Sequence, residues 1–337
     1  MKKILFLWST SFWDRIASIP YLLKMKEEWN DIFLLEYGKW YLNYLHNQND
    51  IYDLYKKNKL YKGLFVIPYN KLSLIKFIVK NFHKFDLAYA PTYTLPNKIW
   101  WLLFWKHRKY TFKSLNDDSK YDNFVSWMLE INKVDFYSYS KELKFPYSSN
   151  YKNKYWIKFP FVCVFVWPYT WSLKEEERIK IFDSIYRQWK GIILLWWNSK
   201  EREWWIVNYI RKNKWIINLL SKTNFEELCS IITDADYTIS ANWGIMWLCH
   251  LLNKKSISFS IVSGNMIHPP VNNRTSFHIH NKVCILPCEM RKSEEYYKHY
   301  WYKKCVFKWT NNEWICRNLR WEQIIKFIEI IIQGEWL

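Results

Sequence analysis

The sequence predicts an α/β protein made of two Rossmann-like domains facing a central cleft. Three observations lead there. Short apolar runs, the length of buried strands, alternate with amphipathic helical stretches, the pattern of a parallel sheet covered on both faces. The alternation begins at the N-terminus, weakens across a polar region and then restarts. The chain has 337 residues, suited to two domains of roughly 150 residues each.

The elements follow in order. Residues 4–8 form an apolar run and read as the first strand. Residues 14–26 show helical spacing, with Ile16, Ile19, Leu22 and Leu23 on one side and Pro20 within the first two turns, placed to kink the helix or mark its start. Residues 32–35, 64–67 and 87–89 read as further strands. Residues 117–122 and 138–154 are polar and weakly periodic, and the second stretch is the expected linker. The pattern resumes with a strand at 161–166, a helix at 174–189, a strand at 192–195 and a helix at 201–212. A strand at 216–219, a helix at 225–233, a strand at 237–240, a helix at 245–252 and a strand at 256–261 follow, with a last helix at 321–332. The domains predicted are therefore 1–150 and 151–318, with a C-terminal helix in 319–337.

Half of the residues are hydrophobic, yet no run approaches the roughly 20 apolar residues that cross a bilayer. The opening Met1-Lys2-Lys3 and its apolar run are too short for a secretion signal and turn polar without a cleavage site; a cytoplasmic protein is expected. The formal charge is +19, with lysines spread over the whole chain. A lysine-rich composition is the plain explanation. Attraction to an anionic membrane face is the preferred functional one, and nucleic acid is not expected because no binding module is recognisable. Cys163, Cys229, Cys249, Cys284, Cys288, Cys305 and Cys316 make an odd, scattered set. They argue against a disulfide framework, and the last four lack the paired C-x2-C knuckles of a zinc ribbon, so reduced thiols and no metal are expected.

Six glycines stand against 24 tryptophans, whereas ordinary usage of about 7 % glycine would give roughly 24. Trp13, Trp167, Trp196, Trp197 and Trp243 all follow apolar strands, where turns and phosphate loops need glycine for positive φ and close backbone approach. The hypothesis is that many of these tryptophans are glycine codons: some bacteria read UGA as glycine, while a common alternative code reads it as tryptophan.

Candidate chemistry sits at strand ends, where open α/β sheets bind their ligands. Ser11-Phe12-Trp13-Asp14 joins the first strand to the first helix; Asp14 is either a general base at a sugar hydroxyl or a helix cap. Thr170 and Lys174 follow the strand at 161–166 and can hold phosphate, although taken alone Lys174 reads more readily as a solvated surface lysine. Trp196-Trp197 makes a tight turn with Glu201 beyond it, a candidate for a ribose hydroxyl. Asn242-Trp243-Gly244-Ile245-Met246 is a further strand–turn–helix junction whose helix N-terminus offers amides to a diphosphate.

In order and spacing these motifs resemble glycosyltransferase family nine, which includes the ADP-heptose:lipopolysaccharide heptosyltransferases. That family opens with a strand, Ser-x-Gly-Asp and a helix with an early Pro; here stand Ser11-Phe12-Trp13-Asp14 and Pro20. Its second half has a loop with Thr and Lys, a Gly-Gly turn and Glu, matched by Thr170, Lys174, Trp196-Trp197 and Glu201. Its Leu-x-Gly-Lys-Thr stretch is matched by Leu219-Leu220-Ser221-Lys222-Thr223, followed by Glu226 and Glu227. Its Asp-Ser/Thr-Gly-Pro-Met-His box is matched in part by Asn242-Trp243-Gly244-Ile245-Met246-Trp247, with Asn242 for the Asp and Trp247 for the His. Cys284, Cys288 and Cys305 loosely echo a late cysteine region.

The resemblance implies a GT-B architecture, with an acceptor-binding N-terminal half and a nucleotide-sugar-binding C-terminal half. It implies that Asp14 is the base of an inverting transfer, with Ser11 and Trp13 in its acceptor-side loop. Thr170 and Lys174 would meet the donor's phosphates, Glu201 its ribose, and Asn242, Trp243, Gly244 and Met246 the diphosphate and sugar. No metal or cofactor beyond the nucleotide-diphosphate sugar is implied. The expected activity is transfer of a heptose-like sugar to a lipopolysaccharide or other cell-surface glycan, at the inner face of the cytoplasmic membrane. A sugar-nucleotide epimerase of the same architecture and a non-catalytic basic binding protein are the alternatives.

Overall fold

A computed structural model describes residues 2–8, 12–28, 30–37, 48–68, 70–89, 141, 143–165, 175–195, 213–241, 244–260, 276–280 and 321–332. The chain divides into two compact units. Unit one comprises Met1–Lys144 with Met290–Tyr297, and unit two comprises Phe145–Glu289 with Lys298–Leu337.

Unit one is built on β1 (Lys3–Trp8), α1 (Phe12–Glu27), β2 (Asp31–Tyr37), α2 (Gln48–Lys57), β3 (Gly63–Ile67), α3 (Lys71–Asn81) and β4 (Leu87–Tyr89). The strands pair in parallel in the order β3-β2-β1-β4. Ile16, Ile19, Leu22 and Leu23 of α1 are buried, as their spacing predicts. The helix runs through Pro20. That residue has no N–H to give the Ile16 carbonyl, and one residue earlier the Arg15 carbonyl accepts from the Tyr55 hydroxyl (2.6 Å) and the Ser18 hydroxyl (2.7 Å). Leu74, Phe77 and Ile78 of α3 pack with Leu5, Leu35 and Phe85 in the core, while Phe33, Phe65 and Phe85 meet edge-on or stacked on the same face.

Unit two contains α4 (Tyr151–Lys154), β5 (Phe161–Phe165), α5 (Glu175–Tyr186), β6 (Gly191–Leu195), β7 (Ile216–Asn218), α6 (Phe225–Asp234), β8 (Thr238–Ala241), α7 (Gly244–Leu251), β9 (Ser256–Ser260), β10 (Ser276–His280) and α8 (Trp321–Ile332). Its strands are parallel in the order β10-β9-β8-β5-β6-β7. Every residue of β5 and β6 is buried, which is why these strands read as unbroken apolar runs rather than alternating ones. Gly191 opens β6 under the Phe159 ring: a Cβ there would lie 1.8 Å from that ring. α8 seals the layer against α5, β9 and β10 through Ile324 and Ile328.

The segment expected as a linker, 138–154, is in part docked structure. Tyr151 is buried and donates to Asp234 (2.6 Å), Lys154 pairs with Glu227 (2.6 Å), and the Ser148 amide donates to the Ser230 hydroxyl (2.7 Å). Its polar side chains carry no periodicity because they bond to α6 one by one.

Two exposed tryptophans have left-handed backbone: Trp156 at φ 57° after α4 and Trp189 at φ 59° after α5. Both end a helical turn, the place where glycine is the usual residue and a bulky side chain is an outlier. These positions extend the glycine hypothesis beyond the strand-end tryptophans. Ser221 (φ 56°) occupies the same conformation at the position where the Leu-x-Gly-Lys-Thr pattern has glycine.

Candidate active site

Each sheet has one point where the strand order reverses, and there neighbouring strands send their following loops apart to open a crevice beyond their carboxyl ends. In unit one this point lies between β1 and β4, and in unit two between β5 and β8. Asp14 and Trp13 occupy the first turn of α1, directly after β1. Gly244 begins α7, directly after β8. The segment carrying Thr170 and Lys174 follows β5 in the chain, and β5 borders the same reversal. Ser11, Thr170, Lys174, Glu201, Asn242 and Trp243 themselves lie outside the described residues, as do the helix expected at 201–212, Trp196, Trp197 and Cys284, Cys288, Cys305 and Cys316.

Beneath the start of α1 lies a buried polar cluster that the motif reading passed over. Arg15, next to Asp14, is 1 % exposed, and its guanidinium pairs at 3.6 Å with Glu36 near the end of β2, itself 2 % exposed. The Arg15 group also stands 5.9 Å from the Tyr52 ring centre and makes a long contact, 3.4 Å, to that residue's hydroxyl. The Tyr55 and Ser18 hydroxyl oxygens stand 3.0 Å apart where both meet the Arg15 carbonyl; burial pushes the Tyr55 hydroxyl's pKa well above the ordinary tyrosine value. A cation at a helix start opposes the macrodipole, and Glu36 compensates it. The signal in the sequence was an acidic residue ending an otherwise apolar strand, Phe33-Leu34-Leu35-Glu36.

In unit two, α7 is buried along one continuous stretch from Ile245 to Leu251. Met246 is fully buried and Trp247 is 2 % exposed, its ring edge-on to His250 at 6.5 Å. These side chains are buried in the body of α7, whose N-terminal amides come just after β8 in the chain.

Leu219-Leu220-Ser221-Lys222-Thr223 forms the turn between β7 and α6. Lys222 donates to the Asn218 carbonyl (2.9 Å). Glu227 closes a capping box with Asn224 and also accepts from Lys154 and Tyr155. Burial works to raise the Glu227 pKa, but the Lys154 ammonium, the Asn224 amide and the Tyr155 hydroxyl together hold it below the usual carboxylate range. These residues secure the α6 start.

Cys163, Cys229 and Cys249 are buried free thiols. Burial pushes Cys163 well up and Cys249 up to about 12. Among the described residues no group of three His, Cys, Asp or Glu side chains is placed to hold a metal, and no helix is long and apolar enough to cross a membrane.

Two α/β units, each with a parallel sheet and one order reversal, define the class: this is a GT-B-type fold. Residues 184–298 match the model of glycosyltransferase family 9 (heptosyltransferase), the family that the motifs resemble. A glycosyltransferase family 9 structure from Veillonella parvula DSM 2008 is 12 % identical, with a TM-score of 0.63 over 99 % of this chain and 98 % of that one. The ADP-heptose lipopolysaccharide heptosyltransferase II of E. coli is 10 % identical, with a TM-score of 0.58 over 99 % of both chains. TibC, described as a dodecameric iron-containing heptosyltransferase and solved with ADP-D-β-D-heptose, is 11 % identical; the likeness has a TM-score of 0.60 and covers 99 % of this chain and 76 % of TibC. TibC comes from enterotoxigenic E. coli H10407. No curated protein matches the sequence.

Proposed function

We propose that this protein is an inverting glycosyltransferase that moves a heptose-like sugar from a nucleotide-diphosphate donor to a lipopolysaccharide or other cell-surface glycan acceptor. One observation supports it above the rest: in chain order, Asp14, the Thr170–Lys174 segment and Gly244 come after β1, β5 and β8, the strands that border the order reversals of the two sheets. The family match over residues 184–298 supports the donor half.

In this reading Asp14 takes the proton of the acceptor hydroxyl, and the resulting oxygen attacks the anomeric carbon opposite the diphosphate. The bond between that carbon and the diphosphate oxygen breaks, and the nucleoside diphosphate leaves with both electrons. The α7 amides, Thr170 and Lys174 stabilise its charge, Glu201 holds the ribose, and Asn242, Trp243 and Gly244 line the donor loop above Met246. Ser11 and Trp13 shape the acceptor-side loop, and glycine at position 13 gives Asp14 room. The chemistry needs no bound metal; TibC's iron makes chelation a required control, and transfer that collapses in EDTA contradicts this part. The acceptor is presented at the inner face of the cytoplasmic membrane.

The test is a donor screen with glycine restored at position 13, followed by Asp14→Asn. Transfer is expected to fall by at least about a hundredfold, with nucleotide-sugar binding retained. Unchanged turnover removes Asp14 from the mechanism.

A further inference from the structure

Buried and exposed apolar residues sit on opposite sides of α3. Leu74, Phe77 and Ile78 enter the core, but Leu72 (61 % exposed), Ile75 (40 %) and Val79 (69 %) face solvent. Spacings of three and four place those three on one stripe. Val66, on the edge strand β3, is also exposed. Exposed Lys76 and Lys80 border the stripe along the helix, and His83 and Lys84 are exposed just beyond it. Eight lysines and no acidic residue lie between Asp53 and Asp86. Scattered exposed apolar residues are ordinary, but a helical stripe of them edged by cations on one face is not.

This combination suits one kind of occupant. A protein partner of ordinary composition meets the stripe but leaves the lysines without counter-charges. A polyanion such as a nucleic acid meets the lysines but leaves the apolar side chains wet. An anionic lipid leaflet satisfies both, taking the stripe into the headgroup–acyl boundary while its phosphates pair with the lysines. We propose that the outward face of α3 is the surface by which this protein docks on anionic membrane. The inference gives a place to the membrane-presented acceptor of the proposed function, and rests on that reading only for its purpose. Vesicle binding is measured without donor or acceptor, so its failure leaves the transfer reading standing, and failure of transfer leaves the docking result standing.

The experiment is co-sedimentation of the full chain with phosphatidylcholine vesicles and with vesicles containing phosphatidylglycerol. Binding is expected for the second and not the first. Lys76→Gln with Lys80→Gln should weaken it roughly thirtyfold, at about tenfold per 1.4 kcal/mol and 1 kcal/mol per lysine. Leu72→Ser, Ile75→Ser and Val79→Ser together should weaken it by at least about tenfold at unchanged net charge, with Val79→Ser alone giving part of the loss. Thermal unfolding of each variant checks that it folds. The control Lys158→Gln with Lys214→Gln, on unit two, should have little effect. Equal losses from the control pair, or unchanged binding by both the triple and the single serine variants, would mean that bulk charge alone acts, and would overturn the proposal. So would a lipid-free dimer that Val79→Asp splits, since a second copy would then cover the face.

Discussion

Replacing Trp189 by glycine should stabilise the protein, and the size of the gain can be worked out from its surroundings. Trp189 sits at φ 59°, its amide donates to the Tyr186 carbonyl at 2.8 Å, and its side chain is 79 % exposed. Left-handed backbone costs an ordinary residue roughly 1–2 kcal/mol. Glycine escapes this cost but loses about 0.5–1 kcal/mol through its freer unfolded chain. Little burial is forfeited because the ring is in water. The net gain for Trp189→Gly is therefore about 0–1.5 kcal/mol, centred on roughly 0.75. Trp156→Gly should gain less, because the Lys158 ammonium stands 5.6 Å from that ring's centre, a contact worth about 0.5 kcal/mol at an exposed site. The assay is urea unfolding, with the midpoint rising and the slope unchanged. Trp189→Ala is the decisive control: it removes the ring but keeps the left-handed penalty, so it should not stabilise. If alanine matches glycine, or glycine destabilises, the backbone argument fails. The same argument predicts that peptides from the native host carry glycine masses at 156 and 189; tryptophan masses there would sink the decoding hypothesis.

Gly191→Ala forces its methyl into the Phe159 ring and should cost roughly 1–3 kcal/mol, read from the same unfolding curves. Asn224→Ala removes a cap on α6 and should cost about 1 kcal/mol. Glu227 and Asp234 both have depressed pKa values: burial opposes the depression, and Lys154 and Lys152 respectively lead the interactions that outweigh it. Their contribution is therefore complete above the unfolded carboxylate pKa of about 4.3 and is lost as pH falls through the lower folded values. Glu227→Gln should flatten the acid limb of a stability-against-pH curve, and an unaltered limb would refute this. Arg15→Met should cost up to about 3–5 kcal/mol by taking the guanidinium from beside the buried Glu36, while Arg15→Met with Glu36→Leu should recover most of that; a double variant no better than the single contradicts the pairing.

The fold was legible because parallel strands buried on both faces leave a strong mark. β5 and β6 are all apolar and all buried, and the α1 stripe is buried as its period requires. The missed elements are weak for identifiable reasons. Among its described side chains, α2 buries only Ile51, Leu54 and Tyr55 in a polar surround. α3 has apolar residues on both faces, which erases the period that marks an amphipathic helix. β10 is an edge strand with polar residues alternating along Ser276–His280. At the candidate site, the strand-end motifs could be read because position after a strand is a local property of the sequence. The Arg15–Glu36 pair could not, because its members meet only once β2 lies beside β1.

That pair bears on how Asp14 would work. Arg15 follows Asp14 in α1, and its pairing with Glu36 at 3.6 Å, both side chains buried, ties the start of that helix to β2. A base that acts from a helix start depends on that backbone being held in place. Removing Glu36 alone should therefore lower the transfer rate per folded molecule, while nucleotide-sugar binding is retained. Removing both members, by Arg15→Met with Glu36→Leu, should recover part of that rate. A pair that serves stability alone would change the amount of folded protein and leave the rate per folded molecule unchanged.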